Sequence, residues 1–410
     1  MAARLAVRPI VCDNWSARPG VLDLSRPMDP LPFRSPLSAY QAQAAELLAG
    51  WNANDPDAVQ AVRQHLPRLL DERIPWLPRA MPEAELRAIP LDLADAQLAL
   101  ARWYTFRDWP SLVEWLAAFA RDDSPVLLFE SAVEAVVGGD SAALDRLLRA
   151  HPDLVTARST IVTSNEPPQH RATLLHYVAA NGVEDYRQKS PANAVEIASL
   201  LLRAGAEPDA LASMYGGQAT TLNMLVSSAH PARAGVQVAL AETLLDFGAA
   251  VDGRGSGDWV SPLMTALAFG YRPTAEALVR RGARVDTIAA AAGLGLLPLA
   301  RQLLPDADAV TRHRAVALAA QHGRTEVLRL LLDAGEDPNR FNPRGNHAHS
   351  TPLHQAVWSD QIETVRLLVE RGARLDIRDT IWNGTPLGWA EFGGRNAIAD
   401  YLRTAGSPPH

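Results

Sequence analysis

A four-residue opening, two short segments with apolar stripes and a closing glycine return several times along this chain at a nearly fixed interval. The fullest copy runs from Thr351-Pro-Leu-His354 to Gly372-Ala-Arg-Leu-Asp376. Thr173-Leu-Leu-His176, Ser261-Pro-Leu-Met264 and Thr385-Pro-Leu-Gly388 open further copies. Weaker openings fall at Glu130, Thr220, Asp286 and Arg314, aligned by the glycine that follows nine places later in stronger units, as with Gly182, Gly270 and Gly323. Gly205, Gly248, Gly282, Gly335 and Gly372 close five of the units. Such periodicity means a stack of small units that cover one another's apolar faces, not one large core.

Each piece of the unit has a physical role. Thr351 caps a first helix whose first turn holds Pro352, where a missing N–H costs nothing. Val365, Leu368 and Val369 share one face of a second helix, and Gly372 follows it where a left-handed residue ends a helix cheaply. With Thr-Pro-Leu-His, two helices and a Gly-Ala turn in this order, the segment resembles the ankyrin repeat. The resemblance implies an all-α, ankyrin-type helical solenoid of about eight repeats, residues 126–406. It also implies that His354 bridges to backbone and neighbouring loops. Arg314 to Thr351 spans 37 residues and Thr351 to Thr385 spans 34, near the expected period, whereas Thr173 to Thr220 spans 47 and predicts an insertion at Val183 to Asn193. Asp286 to Arg314 spans only 28, so Thr287 to Asp308, which lacks the opening motif, is expected to be a shortened or distorted repeat.

Two segments precede the array. Residues 1–36, with Pro9, Pro19, Pro27, Pro30, Pro32 and Pro36, read as a flexible leader. Residues 37–125 read as a small helical domain, with helices over Tyr40 to Trp51, Asp55 to Leu70, Asp92 to Tyr104 and Pro110 to Ala120. Asp55 before Pro56 and Asp108 before Trp109-Pro110 are start signals. Trp76, Trp103, Trp109 and Trp115 in this domain are expected in its core. The stretch Asp95 to Leu112 resembles a segment preceding ankyrin arrays in bacterial proteins. That likeness implies a bacterial-type ankyrin repeat protein with an N-terminal helical domain.

Charge and composition narrow the function. The net charge of -7 leaves no basic footprint for a nucleic-acid backbone. Lys189 is the only lysine, and it follows no glycine-rich loop, which removes phosphate-loop, kinase and Schiff-base chemistry. Cys12 is the sole cysteine, so neither an intrachain disulfide nor a cysteine zinc site forms. No apolar run reaches the length of a membrane span, and the leader lacks a signal-peptide core. The expected protein is a cytoplasmic monomer that is not an enzyme and carries no cofactor, metal, nucleic acid or membrane anchor. His347, His349 and His354 form a histidine cluster, but no carboxylate lies at ligand spacing. Gly253-Arg-Gly-Ser-Gly257 reads as a flexible turn, lacking the lysine of a phosphate loop.

Two functions remain. In the first, the chain is a scaffold or adaptor that binds a protein in the concave groove. The ankyrin resemblance places the contact positions in the turns and in the two residues before each inter-helix glycine. Here those are Gln321 and His322, Trp358 and Ser359, and Phe392 and Gly393, with Trp382 in a turn. Trp259 is a lesser candidate at another turn, and Trp389 faces the core. The alternative for these aromatics is packing on each other or on the long turn Asn339 to Ser350. In the second function, residues 37–125 bind a small molecule or catalyse, and a pocket lined by Trp76, Trp103 or Trp109 with unpaired polar groups would mark it.

Overall fold

The computed structural model describes residues 28–119, 121, 124–257 and 259–406. These fall into two compact units, one ending at Val260 and one beginning at Ser261.

The first unit opens with α1 (Leu37–Asn52), α2 (Pro56–His65), α3 (Glu83–Arg87), α4 (Leu93–Trp103) and α5 (Trp109–Phe119). The start signals act as sequence reasoning requires. Asp55 accepts the Ala58 N–H at 2.9 Å, and Asp108 accepts the Ser111 N–H at 2.9 Å. The short α3 was not expected. Tyr40, Leu47, Trp51, Leu100, Trp103 and Leu112 close one core, and Trp109 packs against it. Residues 1–27 of the expected leader lie outside the described residues. The remainder is docked: Met28, Leu31 and Phe33 lie on the core, and the Leu31 N–H donates to the Tyr104 hydroxyl at 2.8 Å. Apolar residues between the prolines explain the difference from a flexible leader.

Three helix pairs follow in this unit: α6 (Pro125–Gly138) with α7 (Ser141–Ala150), α8 (Leu174–Val178) with α9 (Ala194–Arg203), and α10 (Thr221–Leu225) with α12 (Gln237–Asp246), the last pair separated by α11 (Ala229–Arg233). A small antiparallel sheet joins β1 (Ala212–Met214), β2 (Gly217–Ala219) and β3 (Gly255–Ser256), in that order. Gln218 pairs with Ser256 and Ala219 with Gly255. The Gly253–Gly257 segment is therefore partly a strand and not simply a flexible turn. A Cβ on Gly255, at φ +110, would lie 1.9 Å from the Gln218 carbonyl oxygen, so only glycine permits this pairing.

The second unit holds five pairs: α13 (Pro262–Ala268) with α14 (Arg272–Arg280), α15 (Ile288–Leu294) with α16 (Leu297–Leu303), α17 (Ala309–Gln321) with α18 (Thr325–Asp333), α19 (Pro352–Trp358) with α20 (Ile362–Glu370), and α21 (Pro386–Phe392) with α22 (Asn396–Ala405). Eight pairs among the described residues match the repeat number expected from the sequence.

Some openings were misplaced. Glu130 lies within α6 and Arg314 within α17. The segment from Thr287, expected to be distorted, is a complete helix pair whose first helix is capped by Thr287 accepting the Ala290 N–H at 3.1 Å. The missing residues come from the connection to the next pair, because α17 begins directly after Asp308, which accepts the N–H groups of Val310 and Thr311.

The histidine of the opening motif is structural. In the second helix pair the Thr173 N–H donates to His176 Nδ1 at 3.2 Å, and Nε2 donates to the Ala219 carbonyl at 3.3 Å. His354 repeats this arrangement with Thr351 and with the Gly384 carbonyl at 3.2 Å. In the Thr220 copy Asn223 takes the histidine's place: its Oδ1 accepts the Thr220 N–H at 3.1 Å, and its Nδ2 donates to the Val260 carbonyl at 2.8 Å. Each residue ties a helix start to the following loop.

Candidate partner surface and an N-terminal cavity

The six side chains singled out from the sequence all lie in the second unit, in two groups. Gln321 and His322 end α17, and both reach past α15 to the end of α13. Gln321 Nε2 donates to the Ala268 carbonyl at 2.9 Å, and His322 Nε2 to the Leu267 carbonyl at 2.8 Å. The last carbonyls of a helix lack intrahelical partners, so these bonds cap α13 from outside. They form because α15 is thin: Ala289, Ala290, Ala291 and Ala292 are all buried and carry nothing beyond Cβ. Gln321 is itself buried. Burial pushes the His322 pKa down to about 4, leaving the ring neutral.

The long turn after α18 joins this arrangement. His347 Nε2 donates to the same Ala268 carbonyl at 2.7 Å, and His313 Nε2 donates to the Phe341 carbonyl at 3.0 Å. Of the histidine cluster, His347 and His354 are thus engaged with backbone carbonyls. Among the described residues no group of three His, Cys, Asp or Glu side chains is disposed to hold a metal ion.

The second group gathers around Trp389. Trp358 lies 6.0 Å and Trp382 6.2 Å from it, ring centre to ring centre, both near edge-on. His349 of the long turn lies 5.1 Å from Trp382, and His354 lies 5.0 Å from Trp389. The aromatics therefore pack on each other and on the long turn, with Trp389 at 2% exposure as their hub. Edge-to-face packing adds to the burial of such rings. The inward position expected for Trp389 is correct, but its central role was not legible. Ser359 is half-buried at the end of α19, and its carbonyl accepts Gln361 Nε2 at 2.8 Å. Phe392 differs from the other five in being 42% exposed at the end of α21. Trp259 is half-buried at its turn in the first unit, where its carbonyl accepts Asn223 Nδ2 at 3.2 Å.

The first unit contains two features that sequence reasoning missed. The insertion after Val183 buries two charged side chains, Glu184 and Arg187. Arg187 pairs with Glu130 and, at 3.0 Å, with Glu134, both on α6, while its guanidinium carbon lies 5.7 Å from the Trp115 ring centre. Glu184 accepts from Tyr177 Oη at 3.2 Å and from His170 Nε2 at 3.3 Å. The Ala172 N–H donates to His170 Nδ1, which fixes the proton on Nε2. Burial raises the Glu184 carboxyl, but the His170 hydrogen bond and the charge of Arg187 outweigh it and hold the group at about 2. Only the long repeat spacing hinted at a structural role for this segment.

The second feature is a cavity of about 400 Å³. One wall comes from the N-terminal segment, with His65 on α2, Asp71, Glu72 and Trp76 in the connection from α2 to α3, and Arg102 on α4. The other comes from the repeat loops and carries Glu166, His170, Asp185, Met214 and Tyr215. The walls are tied together: the Ser164 N–H donates to the Thr105 carbonyl at 3.0 Å, and the Asp185 N–H to Thr105 Oγ1 at 3.1 Å. Of the three tryptophans proposed for a pocket, Trp103 and Trp109 belong to the core and Trp76 lines the cavity, its Nε1 buried without a partner.

A family model and relatives similar in sequence agree with the repeat architecture. Residues 287–379 match the family model described as ankyrin repeats in three copies. Human cyclin-dependent kinase 4 inhibitor B is 36% identical over 129 residues, which cover 30% of this chain and 90% of that protein. Human cyclin-dependent kinase inhibitor 2A is 34% identical over 125 residues, 29% of this chain and 77% of that one. The crystal structure of the human ASB11 ankyrin repeat domain covers 68% of this chain and 99% of its own, at 20% identity and a TM-score of 0.35. With the helix pairs, the Thr-Pro-Leu-His openings and a relative covered over nearly its whole length, this chain belongs to the ankyrin-repeat family.

Proposed function

We propose that the protein is a non-enzymatic scaffold or adaptor that holds a protein partner on its second unit, at a surface centred on Trp358 and Phe392. Trp382, Ser359, Gln321 and His322 support that surface by packing and by backbone bonds. Phe392 carries the reading: a large apolar ring, 42% exposed, stands beside a rigid aromatic cluster. A Cβ on neighbouring Gly393 would touch the Trp358 ring at 3.4 Å, so the two aromatics flank one small residue. Exposed aromatics on a preorganised base are typical binding anchors. The human relative is by name an inhibitor of a cyclin-dependent kinase, a protein acting on a protein, which supports a protein partner here.

The proposed boundary between the N-terminal helices and the array falls at residue 125, with the helices before it covering the first repeat, whose α6 packs against α5. A bacterial-type architecture, a cytoplasmic location and a monomeric state are parts of the same proposal. No helix among the described residues is long and apolar enough to cross a membrane. The test is chemical crosslinking of the intact chain in its source cell, followed by titration of the crosslinked protein against wild type and a Trp358→Ala, Phe392→Ala variant. A loss of affinity of about tenfold or more with an unchanged melting curve supports the surface. Equal affinity moves the contact elsewhere.

A further inference from the structure

The cavity in the first unit has a chemistry that partner binding by the second unit does not use. Four carboxylates line it, from Asp71, Glu72, Glu166 and Asp185, against a single arginine, Arg102. The Asp71 carboxyl is held below its ordinary pKa, chiefly by the backbone N–H of Arg73, at 2.8 Å, and also by that of Ile74. This group stays anionic at neutral pH. The lining also includes Trp76 and Tyr215. Aromatic faces and carboxylates together attract a cation with an apolar body and disfavour an anion. A volume of about 400 Å³ lies in the range of small-molecule sites. The walls are also fixed in advance, because the backbone of Asp185 and Ser164 is bonded to Thr105.

We propose that this cavity binds a small organic cation, an amine or guanidine carried on an apolar or aromatic body. The charged end lies toward Asp185 and Glu166, and the body lies against Trp76 and Tyr215. Binding at this place bridges the N-terminal helices and the repeat loops, so it also stabilises the first unit.

The experiment is calorimetric titration of the full chain with three probes of nearly the same shape: N-benzoyl-argininamide, its neutral isostere N-benzoyl-citrullinamide, and the anion N-benzoyl-glutamate. The first has about 20 heavy atoms, for which a preformed pocket gives a Kd on the order of tens of micromolar. The expected order is cation tightest, neutral isostere about tenfold weaker, and anion without measurable binding. An Asp185→Asn, Glu166→Gln variant changes only exposed side chains to isosteric amides and is expected to keep its melting curve. In that variant the cation should bind about tenfold more weakly, while the citrulline probe should bind as before. The proposal is overturned if the arginine probe gives no saturable heat at millimolar concentration. Equal binding of the three probes, or cation binding unchanged in the double variant, overturns it as well.

Discussion

The indole N–H of Trp389 donates to Asp379 Oδ2 at 3.0 Å, joining the hub of the C-terminal aromatic cluster to the carboxylate that organises the turn before it. The same carboxylate accepts the backbone N–H groups of Ile381, Trp382 and Gly384, at 2.9, 2.6 and 2.7 Å. Asp379 is 2% exposed, so water cannot replace it. Replacing Asp379 with Ala leaves three half-buried backbone donors and the buried Trp389 indole N–H unpaired and should lower the stability of the second unit by about 2–4 kcal/mol. Urea unfolding measures this. A loss below about 0.5 kcal/mol would show that the turn holds without its carboxylate.

Arg187→Met should be among the most damaging substitutions in the first unit. Glu130 is 1% exposed and is paired with Arg187, so the variant strands a buried carboxylate at a cost of about 3–5 kcal/mol. Burial already raises the Glu130 pKa against the opposing pull of Arg187, and removing the arginine raises it further. Adding Glu130→Gln to the variant should recover part of the loss. A double variant no more stable than Arg187→Met would place the damage in lost packing against Trp115 and not in lost pairing.

Acid should weaken the second unit through its histidines. Burial pushes His322 and His354 down to about 4 and His349 to about 3, from an ordinary 6.5. In the unfolded chain these rings take up protons near pH 6.5, while the folded unit keeps them neutral. Their contribution to stability is therefore full above pH 6.5 and is lost as the pH falls through 4 toward 3, by on the order of several kcal/mol in total. Imidazole NMR resonances assigned to His322, His349 and His354 that titrate near 6.5 in the folded protein would refute this.

Gly255→Ala should unpair β3 from β2, since its Cβ would meet the Gln218 carbonyl oxygen at 1.9 Å. The expected destabilisation is about 1–3 kcal/mol, with amide exchange rising at Gln218 before the helices open. Gly372→Ala, where a Cβ meets nothing within 4 Å but φ is +84, should cost only about 1 kcal/mol.

The repeat grammar, the helix caps at Asp55, Asp108, Thr351 and Thr385, and the inward position of Trp389 were legible in the sequence. All of these depend on contacts between residues close in the chain or on a period that local pattern reveals. The sequence also led to the aromatic positions of the C-terminal unit, but not to how they are arranged. Trp358 and Trp382 meet through Trp389, and His349 joins them only because the long turn folds back to them. Gln321 and His322 cap α13 because the alanines of α15 leave room for them, a relationship between residues more than 50 positions apart.

The first unit divides in the same way. Composition and patterning determined that residues 37–125 form helices with an aromatic core. Only the tertiary structure decided that Arg187, in a segment reading as a polar insertion, is buried against Glu130, and that Trp76 and Asp185 line the same cavity. Hydrophobic period and capping chemistry are local and repeat along the chain. Ion pairing and cavity shape depend on which distant loops are brought together, and nothing in one sequence encodes that distance directly.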